Sequence, residues 1–356
     1  PFPWVCDYNY RMEKQIPSDL PALLKGSLAC RLPLLQEGRQ TAVRLFNGFT
    51  EGLPALTVDL YNQTLVFFTH KITENDSLRL AEAALPYYLS ALSGVHCAVL
   101  KQRSSREESK KKGTILFGSQ PDTLLLENGI QYAVDLLVNQ DASFYLDTRN
   151  LRAWLQENSS GKTVLNTFAY TGSLGVAALA GGAKEVTQMD RNGRFLQLAL
   201  QSVRLNGLDE AKMHCSAVDF FVGVGQMKKN RRVFDLVILD PPYFSLTERG
   251  RVDLVNEAAR LINKVRPLVN DGGQLVVVNN ALFLSGQDFL QAIEKLGKDG
   301  YITVETMIPV PEDFTGYPAT RKGRPPADPA PFNHSTKIVI LKIKRKESIP
   351  LSIEAG

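Results

Sequence analysis

The sequence predicts an α/β protein, in which a parallel, doubly wound sheet follows a smaller α+β domain. From residue 139 onwards, apolar runs of strand length alternate with amphipathic runs of helix length. This alternation is typical of parallel strands joined by helices that cover both faces of a sheet. The chain has 356 residues and 44% apolar content, which is enough for two or three buried cores.

Residues 1–38 precede the smaller domain and contain a helical, proline-punctuated segment, which we interpret as an N-terminal arm. Residues 39–138 predict the order β-β-β-α-β-β and therefore a small α+β domain. Its predicted helix lies in DSLRLAEAALPYYLSAL, and its predicted strands lie in TAVRLFNG, LPALTVDLYNQTLVFFTH, CAVLKQR and IQYAVDLL.

Residues 139–356 predict the larger domain. Its helices are expected in SLGVAALA, RNGRFLQLALQSVRLNG, VDLVNEAARLINKVRP and FLSGQDFLQAIEKLGKDG. Its strands are expected in TVLNTF, EVTQMD, MHCSAV, FDLVILD, QLVVVN, YITVETMI and TKIVILKIK. Ligands of doubly wound sheets bind beyond the carboxyl ends of the strands, so we expect the functional residues where these strands end.

Charge and composition limit the classes of function. The net charge is +4 and the basic residues are clustered, which fits contact with nucleic-acid phosphates, although solvated loops explain each cluster equally well. No apolar run is long enough for a membrane span. The basic clusters are Arg103 to Lys112 (ending in Lys110, Lys111 and Lys112), Lys228 to Arg232, Arg321 to Arg324, and Lys342 to Lys346.

The four cysteines have no CxxC spacing, which favours an intracellular protein without a disulfide framework. We expect a cytoplasmic location, or an organelle if an N-terminal segment has been removed. The pairs His96-Cys97 and His214-Cys215 lie on predicted strands, where neighbouring side chains point to opposite faces. We therefore expect no metal site.

The first strand of the larger domain leads into NTFAYTGSLG, residues 166–175. Gly172 and Gly175 allow the backbone to approach a ligand closely. The next strand ends on Asp190, and an acid at this distance fits the two hydroxyls of an adenosine ribose. Tyr170 interrupts the GxGxxG pattern, which favours a nucleoside and argues against a dinucleotide-dependent oxidoreductase. An ordinary strand–turn–helix joint with a surface acid is the alternative.

The fourth strand ends in the segment DPPYF. Asp240 offers only acceptors, and Pro241 and Pro242 have no amide hydrogens, so the segment presents acceptors to an amino-bearing base. Tyr243 or Phe244 can stack on the face of that base. These features together predict a nucleobase pocket.

Two further strand ends carry candidate residues. The third strand ends near Asp219, where an acid or an amide fits an adenine amino group, and the rings of Phe220 and Phe221 are expected to pack in the core. The fifth strand ends on Asn279 and Asn280, whose amides offer both donors and acceptors to a base edge. A simple turn is the alternative for this pair.

Together these segments resemble class I S-adenosylmethionine-dependent methyltransferases, in particular the bacterial large-subunit ribosomal RNA methyltransferases of the RlmI and RlmK type. The resemblance covers about residues 39–345. It is carried by GLPALTVDLYNQ, SFYLDTRNLRAWL, VLNTFAYTGSLGVAALAGGAKEVTQMD and FDLVILDPPYFS. It implies a Rossmann-like sheet of seven strands whose final strand is antiparallel, and a smaller domain that helps to hold RNA.

The resemblance also implies a role for each matching residue. S-adenosyl-L-methionine is the implied cofactor, with Asp190 on its ribose and Asp219 near its adenine. Asp240 to Tyr243 are implied to face the cofactor sulfonium and the target base. The implied cofactor loop consists of Phe168, Tyr170, Gly172 and Gly175, and the element that helps to close it consists of Tyr145, Asp147 and Arg149.

The chain departs from this family in two ways. Only about 38 residues precede the smaller domain, so we do not expect the PUA RNA-binding domain with which RlmI-type members begin. The cytosine-C5 members carry a nucleophilic cysteine after the fifth strand, where this chain has Asn279 and Asn280. The asparagine pair instead resembles the branch that methylates a guanine nitrogen.

We therefore predict methyl transfer to a nitrogen of a large-subunit ribosomal RNA base, with guanine favoured. One alternative is a cytosine-C5 enzyme that uses Cys215, and another is a non-catalytic RNA-binding or ribosome assembly factor. The expected partner is RNA and not a membrane, and the oligomeric state is open, a homodimer being one option. The loop TRKGRPPADPAPFNH either brings His334 near the site or stays in solvent.

Overall fold

The first part of the chain forms a five-stranded sheet with its helices. The computed structural model describes residues 16–36 and 41–345. The first elements are α1 (Leu20–Gln36), β1 (Ala42–Asn47), α2 (Gly48–Glu51), β2 (Leu56–Tyr61), β3 (Thr64–Thr69), α3 (Glu74–Ala91), β4 (Cys97–Gln102), α4 (Glu108–Lys112) and β5 (Thr114–Phe117). The sheet order is β1-β2-β3-β4-β5, in which β3 and β4 are parallel and the other neighbours are antiparallel.

Both faces of this sheet are covered, which explains why every residue of β2 and β3 is buried. The two strands are joined by a tight turn in which Asn62 has a φ of 55°, a conformation that asparagine tolerates. On one face the sheet packs against Leu24 of α1 and Ala84 of α3. On the other face, Tyr61 and Val66 belong to a core that continues into the second part of the chain.

This part differs from the predicted β-β-β-α-β-β order. The lysine-rich segment forms the short helix α4 and leads into the additional edge strand β5. The strand expected in IQYAVDLL pairs outside the five-stranded sheet, in a separate hairpin of β6 (Leu124–Glu127) and β7 (Ile130–Ala133). The predicted N-terminal arm contains α1, and residues 1–15 and 37–38 of it lie outside the described residues.

The second part of the chain is a seven-stranded sheet. Its elements are α5 (Arg149–Asn158), β8 (Thr163–Thr167), α6 (Ser173–Ala180), β9 (Glu185–Asp190), α7 (Gly193–Leu205), β10 (Met213–Ala217), α8 (Phe220–Lys229), β11 (Phe234–Leu239), β12 (Phe244–Thr247), β13 (Gly250–Asp253), α9 (Ala258–Val265), β14 (Val269–Asn279), α10 (Gly286–Gly297), β15 (Ile302–Ile308), α11 (Glu312–Thr315) and β16 (Lys337–Ile343).

The sheet order is β10-β9-β8-β11-β14-β16-β15, and β16 is antiparallel to both of its neighbours. Helices α5, α6 and α7 pack on one face, and α8, α9 and α10 pack on the other. The predicted α/β class, the seven strands and the antiparallel final strand are thereby confirmed.

A β-hairpin of β12 and β13 stands where a helix was predicted to begin in VDLVNEAARLINKVRP. The expectation was wrong for the first residues of this segment, since Val252 is buried in β13 and Leu254 is buried in the turn that follows it. The carboxylate of Asp253 accepts the backbone N–H groups of Val255 and Asn256 at 3.2 and 3.1 Å, which turns the chain before the helix. Helix α9 therefore begins only at Ala258.

The strand order places a crevice between β8 and β11. The chain runs from β8 outwards to β9 and β10, and then returns to β11 on the other side of β8. Ligands of doubly wound sheets bind at such a reversal, beyond the carboxyl ends of the strands. Leu239 of β11 is level with Thr167 of β8 and Val277 of β14, so the segments that follow these three strands meet at one edge.

A buried cluster of ion pairs joins the two parts of the chain. The carboxylate of Asp313 accepts two hydrogen bonds from Arg149, at 2.8 and 3.0 Å, and one from the backbone N–H of Arg44 at 3.0 Å. Arg31 of α1 donates to the carbonyl of Asp313 at 2.8 Å and pairs with Glu51 at 2.9 Å. The cluster therefore holds α1, the five-stranded sheet and α5 to the segment around α11.

Candidate functional site

The loop between β8 and α6 has a strained backbone. Phe168, Tyr170 and Gly172 have φ angles of 54°, 51° and 77°, in the left-handed region that residues other than glycine rarely adopt. Asp190, at the end of β9, holds this loop in place. One of its carboxylate oxygens accepts the backbone N–H of Tyr170 at 2.8 Å, and the other accepts that of Asn192 at 2.8 Å. Strain of this kind is often found at binding sites, where surrounding contacts enforce it.

The carboxylate of Asp190 has the properties of a ribose ligand. Burial raises the pKa of Asp190 above its usual value, despite the hydrogen bonds that it accepts. Each oxygen retains a lone pair beyond the amide that it binds, so the carboxylate can accept two hydroxyl groups. An open depression of about 670 Å³ lies beside it and is lined by Arg191, Asn192, Gly193, Arg194 and Gln197.

Gly172 and Gly175 pack closely against Gln188 of β9. A Cβ atom on Gly175 would lie 2.3 Å from Nε2 of Gln188, and one on Gly172 would lie 2.7 Å from the same atom. Gln188 donates to the carbonyl of Gly172 at 2.8 Å and accepts from Asn166 at 2.8 Å. The two glycines therefore allow a close approach to the side chain of Gln188, and their predicted contact with the cofactor stays a prediction. Gln188 was missed because it lies inside a buried strand.

The segment before α5 frames the strained loop. The rings of Tyr145 and Tyr170 face each other with centroids 5.4 Å apart. The hydroxyl of Tyr145 donates to Asp141 at 3.1 Å, and that of Tyr170 donates to the side chain of Asn139 at 3.1 Å. Tyr145 thus lies beside the loop.

Arg149 does not face the strand ends. Its two terminal nitrogens bind Asp313, and one of them also donates to the carbonyl of Ala42 at 2.7 Å. The guanidinium therefore joins the two parts of the chain through these two nitrogens. Any effect of Arg149 on the site acts through the position of α5.

Asp219 begins helix α8. One of its carboxylate oxygens accepts the backbone N–H of Phe221 at 2.9 Å, so part of the carboxylate serves as a helix cap. The ring of Phe220 stacks on Phe168 of the strained loop, with centroids 4.4 Å apart. The packing role expected for Phe220 and Phe221 is confirmed, since Phe221 also lies against Gly250 of the hairpin.

Asp240 is a desolvated acid without a positive partner. Burial, followed by the nearby charge of Asp147, raises the pKa of Asp240 to about 7. Burial also raises the pKa of Asp147, which accepts a hydrogen bond from the hydroxyl of Thr336 at 3.0 Å. Within residues 16–36 and 41–345, no hydrogen bond or ion pair reaches the carboxylate of Asp240. Such a carboxylate fits a ligand that brings positive charge or amino hydrogens.

The residues after Asp240 turn outwards. Pro241 is buried, whereas Pro242, Tyr243 and Phe244 are exposed. Tyr243 and Phe244 keep 47% and 48% of their surface accessible, although large aromatic side chains are usually well buried. Both rings are therefore available to stack on a ligand at the end of β11.

The two asparagines after β14 have different environments. Asn279 is fully buried, donates to the carbonyl of Leu254 at 3.1 Å and accepts the N–H of Ala281 at 2.9 Å. Both ends of the Asn279 amide are therefore used within the fold, and its predicted contact with a base edge stays a prediction. The side-chain oxygen of Asn280 is buried and has no hydrogen-bond partner in the described part of the chain. Asn280 thus remains a candidate base ligand.

The predicted phosphate-binding lysines are partly neutralised. Lys110 pairs with Glu74 at 2.6 Å and with Glu107 at 2.9 Å, and Lys111 pairs with Glu108 at 2.8 Å. Lys112 is exposed and is the member of the cluster most accessible to a phosphate. The sequence already indicates this pairing. Glu107, which caps α4, and Glu108, its first residue, each precede the lysine that they bind by three residues.

The proline-rich loop orders its last residues beside Asp147. His334 is half-buried against the ring of Phe314, with ring centroids 5.3 Å apart, and its Nδ1 accepts the N–H of Thr336 at 3.0 Å. Burial lowers the pKa of His334 to about 3, so its imidazole is neutral. His334 therefore fixes the turn that brings Thr336 to Asp147.

Three cysteines lie in the described parts of the chain, and all three are free: Cys30, Cys97 and Cys215. Cys215 is on β10, where burial raises the pKa of its thiol. Across residues 16–36 and 41–345, no cluster of three histidine, cysteine or acidic side chains could hold a metal ion. In the same residues, no helix has the length and apolar character needed to cross a membrane.

Comparisons with known proteins show the family and the fold of this chain. A model of the S-adenosylmethionine-dependent methyltransferase family matches residues 50–317. YwbD of Bacillus subtilis is 30% identical over 311 residues, which cover 85% of this chain and 77% of YwbD. Ribosomal RNA large subunit methyltransferase I of Erwinia tasmaniensis is 30% identical over 284 residues, which cover 76% of this chain and 68% of that protein. The crystal structure of SMU.776 complexed with SAH has the same fold, with a TM-score of 0.79 at 24% identity over 92% of this chain and 83% of that one.

Proposed function

We propose that this chain, which belongs to the S-adenosylmethionine-dependent methyltransferase family, methylates a base nitrogen of large-subunit ribosomal RNA, with guanine as the favoured base. The family and the cofactor expected from the sequence motifs are confirmed by the family match. The substrate class is supported by the relatives that are named as large-subunit ribosomal RNA methyltransferases.

The observation that carries the choice of a base nitrogen is the set of unpaired acceptors at the ends of β11 and β14. Asp240 has a carboxylate without a partner, and Asn280 adds an amide oxygen without a partner. Pro241 adds a backbone carbonyl and, as a proline, has no backbone N–H. Acceptors bind N–H groups. One edge of guanine carries an amino group beside a ring N–H, and so offers three hydrogens to these three acceptor groups. Adenine and cytosine have an amino group but no ring N–H beside it, so the acceptors favour guanine.

The residues of this chain act mainly by positioning. S-adenosylmethionine supplies a methyl group that is already activated by the sulfonium. Asp190 and the strained loop would hold the nucleoside part of the cofactor, and Tyr243 would stack on the target base. Asp240 would orient the attacking nitrogen by accepting its hydrogens, and a carboxylate with a pKa near 7 suits the proton that this nitrogen releases.

Two alternatives from the sequence are weaker on this structure. A cytosine-C5 enzyme needs a thiolate beside the base, yet the sequence has no cysteine after Cys215. The thiol of Cys215 lies 3.9 Å from the carbonyl of Leu196, within the fold and away from the segment after β11. A non-catalytic assembly factor would have no use for the acceptor set described above, and it would not bind S-adenosylmethionine.

Analysis of the methylated nucleoside tests the proposed function. We expect the purified protein to transfer labelled methyl groups to protein-free large-subunit ribosomal RNA, and mass spectrometry of the digested RNA to show an N-methylated guanosine. The variant Cys215→Ser should give the same product at the same rate. Formation of 5-methylcytidine, with loss of activity in Cys215→Ser, would establish the cytosine-C5 alternative instead. Absence of both methyl transfer and S-adenosylmethionine binding by calorimetry would establish the assembly factor.

The rate of methyl transfer should depend on the protonation of Asp240. Because its pKa is raised to about 7, the carboxyl group is protonated at low pH, where it carries a donor hydrogen and has less acceptor capacity, and it becomes an acceptor-only carboxylate as the pH rises. We expect kcat/KM for S-adenosylmethionine to rise about tenfold per pH unit below pH 7 and to level off above it. In Asp147→Asn the break should move to lower pH, because the like charge that raises the pKa is removed. A profile with no break between pH 5 and 8 would contradict this role.

A further inference from the structure

Five exposed apolar side chains lie on the two segments that follow β11 and β14. We call them the apolar lip, and they are Tyr243, Phe244, Leu246, Leu282 and Phe283. Leu246 and Phe283 keep 70% and 63% of their surface accessible, and they are the two most exposed large apolar side chains in the described part of the chain. Groups of apolar side chains on a surface commonly mark an interaction site.

The two segments of the apolar lip are held to each other. The carbonyl of Leu254, at the base of the hairpin, accepts a hydrogen bond from Asn279 at 3.1 Å, and its N–H donates to Tyr243 at 3.2 Å. The same asparagine accepts the N–H of Ala281, and Lys337 donates to the carbonyl of Ala281 at 3.0 Å. The turn that carries Leu282 and Phe283 is therefore rigid, and the exposure of its side chains is not the result of a loosely attached loop.

The geometry points to the apolar lip, beyond the ring of Tyr243 that stacks on the target base, as a stacking surface for the unpaired nucleotides that flank this base in the substrate RNA. This inference rests on the proposed function. A base that enters the pocket at Asp240 leaves the stack of its neighbours, and those neighbours are joined to it by the RNA backbone at the mouth of the pocket. Aromatic and branched apolar side chains there can replace the lost stacking. The expected substrate segment is therefore single-stranded around the modified position.

Three arginines beside the apolar lip can meet the phosphates of an RNA strand, and the exposed acid Glu248 at the hairpin tip offsets one of them. Arg249, at the tip of the hairpin, is exposed and forms no ion pair with the residues that the structure describes. Arg251 and Arg260 share one acid, Glu257, each at 2.8 Å, so that pair of arginines is only partly neutralised. Positive charge suits the phosphates of an RNA strand. A symmetric contact between two copies of this chain would instead bring these arginines near each other.

Binding of a single-stranded RNA oligonucleotide tests the stacking surface without any need for methyl transfer. Measured by fluorescence anisotropy, Leu246→Ala and Phe283→Ala should each bind a mixed-sequence oligonucleotide about tenfold more weakly than the wild type. Binding of a duplex of the same sequence should not change. Leu205→Ala is the matched control, because Leu205 is an exposed leucine on α7 with 43% of its surface accessible. Because stacking releases no counterions, the salt dependence of binding should be the same in the variants and the wild type.

A second set of variants separates stacking from a structural effect. Phe283→Tyr keeps an aromatic ring and should bind as the wild type does, whereas Phe283→Ala should not. If Leu246→Ala and Phe283→Ala bind the single strand as tightly as Leu205→Ala, the inference is wrong. It is also wrong if sedimentation shows a wild-type dimer that Phe283→Ala converts to a monomer, since the apolar lip is then a contact between copies. Intact single-strand binding without methyl transfer would refute the proposed function but leave the stacking surface in place.

Discussion

Replacement of Asp240 by alanine is expected to lower kcat for methyl transfer to RNA by about 10²- to 10³-fold, while Kd for S-adenosylmethionine changes by less than about tenfold. The carboxylate has no partner in the described structure, so its removal leaves no other group unpaired. It also relieves the like charge between Asp240 and Asp147. The variant should therefore fold, and it should lose activity because the target base is no longer held in the correct orientation.

The variant Asp240→Asn makes the expectation sharper. An amide has nearly the same shape as a carboxylate but presents hydrogens in place of one pair of acceptors. If the role of Asp240 is to accept the hydrogens of an amino group, asparagine should be nearly as inactive as alanine. If Asp240 only fills space, asparagine should restore full activity. Radiolabelled methyl transfer under single-turnover conditions measures the step, and calorimetry measures cofactor affinity.

The control for these variants is Asp209→Asn, since Asp209 is an exposed acid that begins a short helical turn at the amino end of β10, opposite the strand ends that carry the site. It should leave both kcat and cofactor affinity unchanged. Full turnover by Asp240→Ala would remove Asp240 from the mechanism, and the proposal of an acceptor-lined base pocket would fail with it. A large loss of cofactor affinity with unchanged single-turnover rate would assign Asp240 to the cofactor alone.

The fold and the place of the site were accessible from the sequence because both depend on local patterns. Alternation of strands and helices predicts the parallel sheet, and a parallel sheet brings the ends of its strands to one edge. Asp190 and Asp240 could be singled out because each ends an apolar strand. The hairpin of β12 and β13 was missed because Val252 and Val255 have the i, i+3 spacing of the helix that follows them.

The roles of several side chains could not be predicted, because their partners are distant in the sequence. Arg149 was assigned to the cofactor, but its partner Asp313 lies 164 residues further along the chain. Asn279 was assigned to the base, but it supports the backbone of Leu254, 25 residues before it. A motif shows which residue types are present at a site, whereas hydrogen-bond partners decide which of them are free to meet a ligand.

Replacement of Asp313 by alanine should be among the most destabilising single changes in the chain. Asp313 is fully buried and is the acid that neutralises Arg149, whose second acidic neighbour, Glu127, is 3.6 Å away and already pairs with Arg152 at 2.5 Å. Removal of one partner from a buried ion pair leaves the other charge uncompensated and costs about 3–5 kcal/mol. The backbone N–H of Arg44 would lose its acceptor as well.

Urea denaturation, followed by circular dichroism, measures this loss as a fall in the free energy of unfolding. The matched control is Glu210→Gln, because Glu210 pairs with Arg204 at 2.8 Å on the exposed surface. Loss of such a surface pair should cost less than about 1 kcal/mol. The difference between the losses of Asp313→Ala and Glu210→Gln in the free energy of unfolding shows how much of the cost is due to burial of the ion pair.

A double variant shows whether Asp313→Ala is destabilised because the charge of Arg149 is left without a partner. If it does, Arg149→Met combined with Asp313→Leu should be less destabilised than Asp313→Ala alone, because neither charge is then left unpaired in the interior. If the double variant loses as much free energy of unfolding as Arg149→Met and Asp313→Leu lose together, the destabilisation arises from the packing around α11. A loss below about 1 kcal/mol in Asp313→Ala would mean that water or Glu127 compensates Arg149. The ion cluster would then not be what holds the five-stranded sheet to the seven-stranded one, and the apolar core that the two sheets share would have to do so alone.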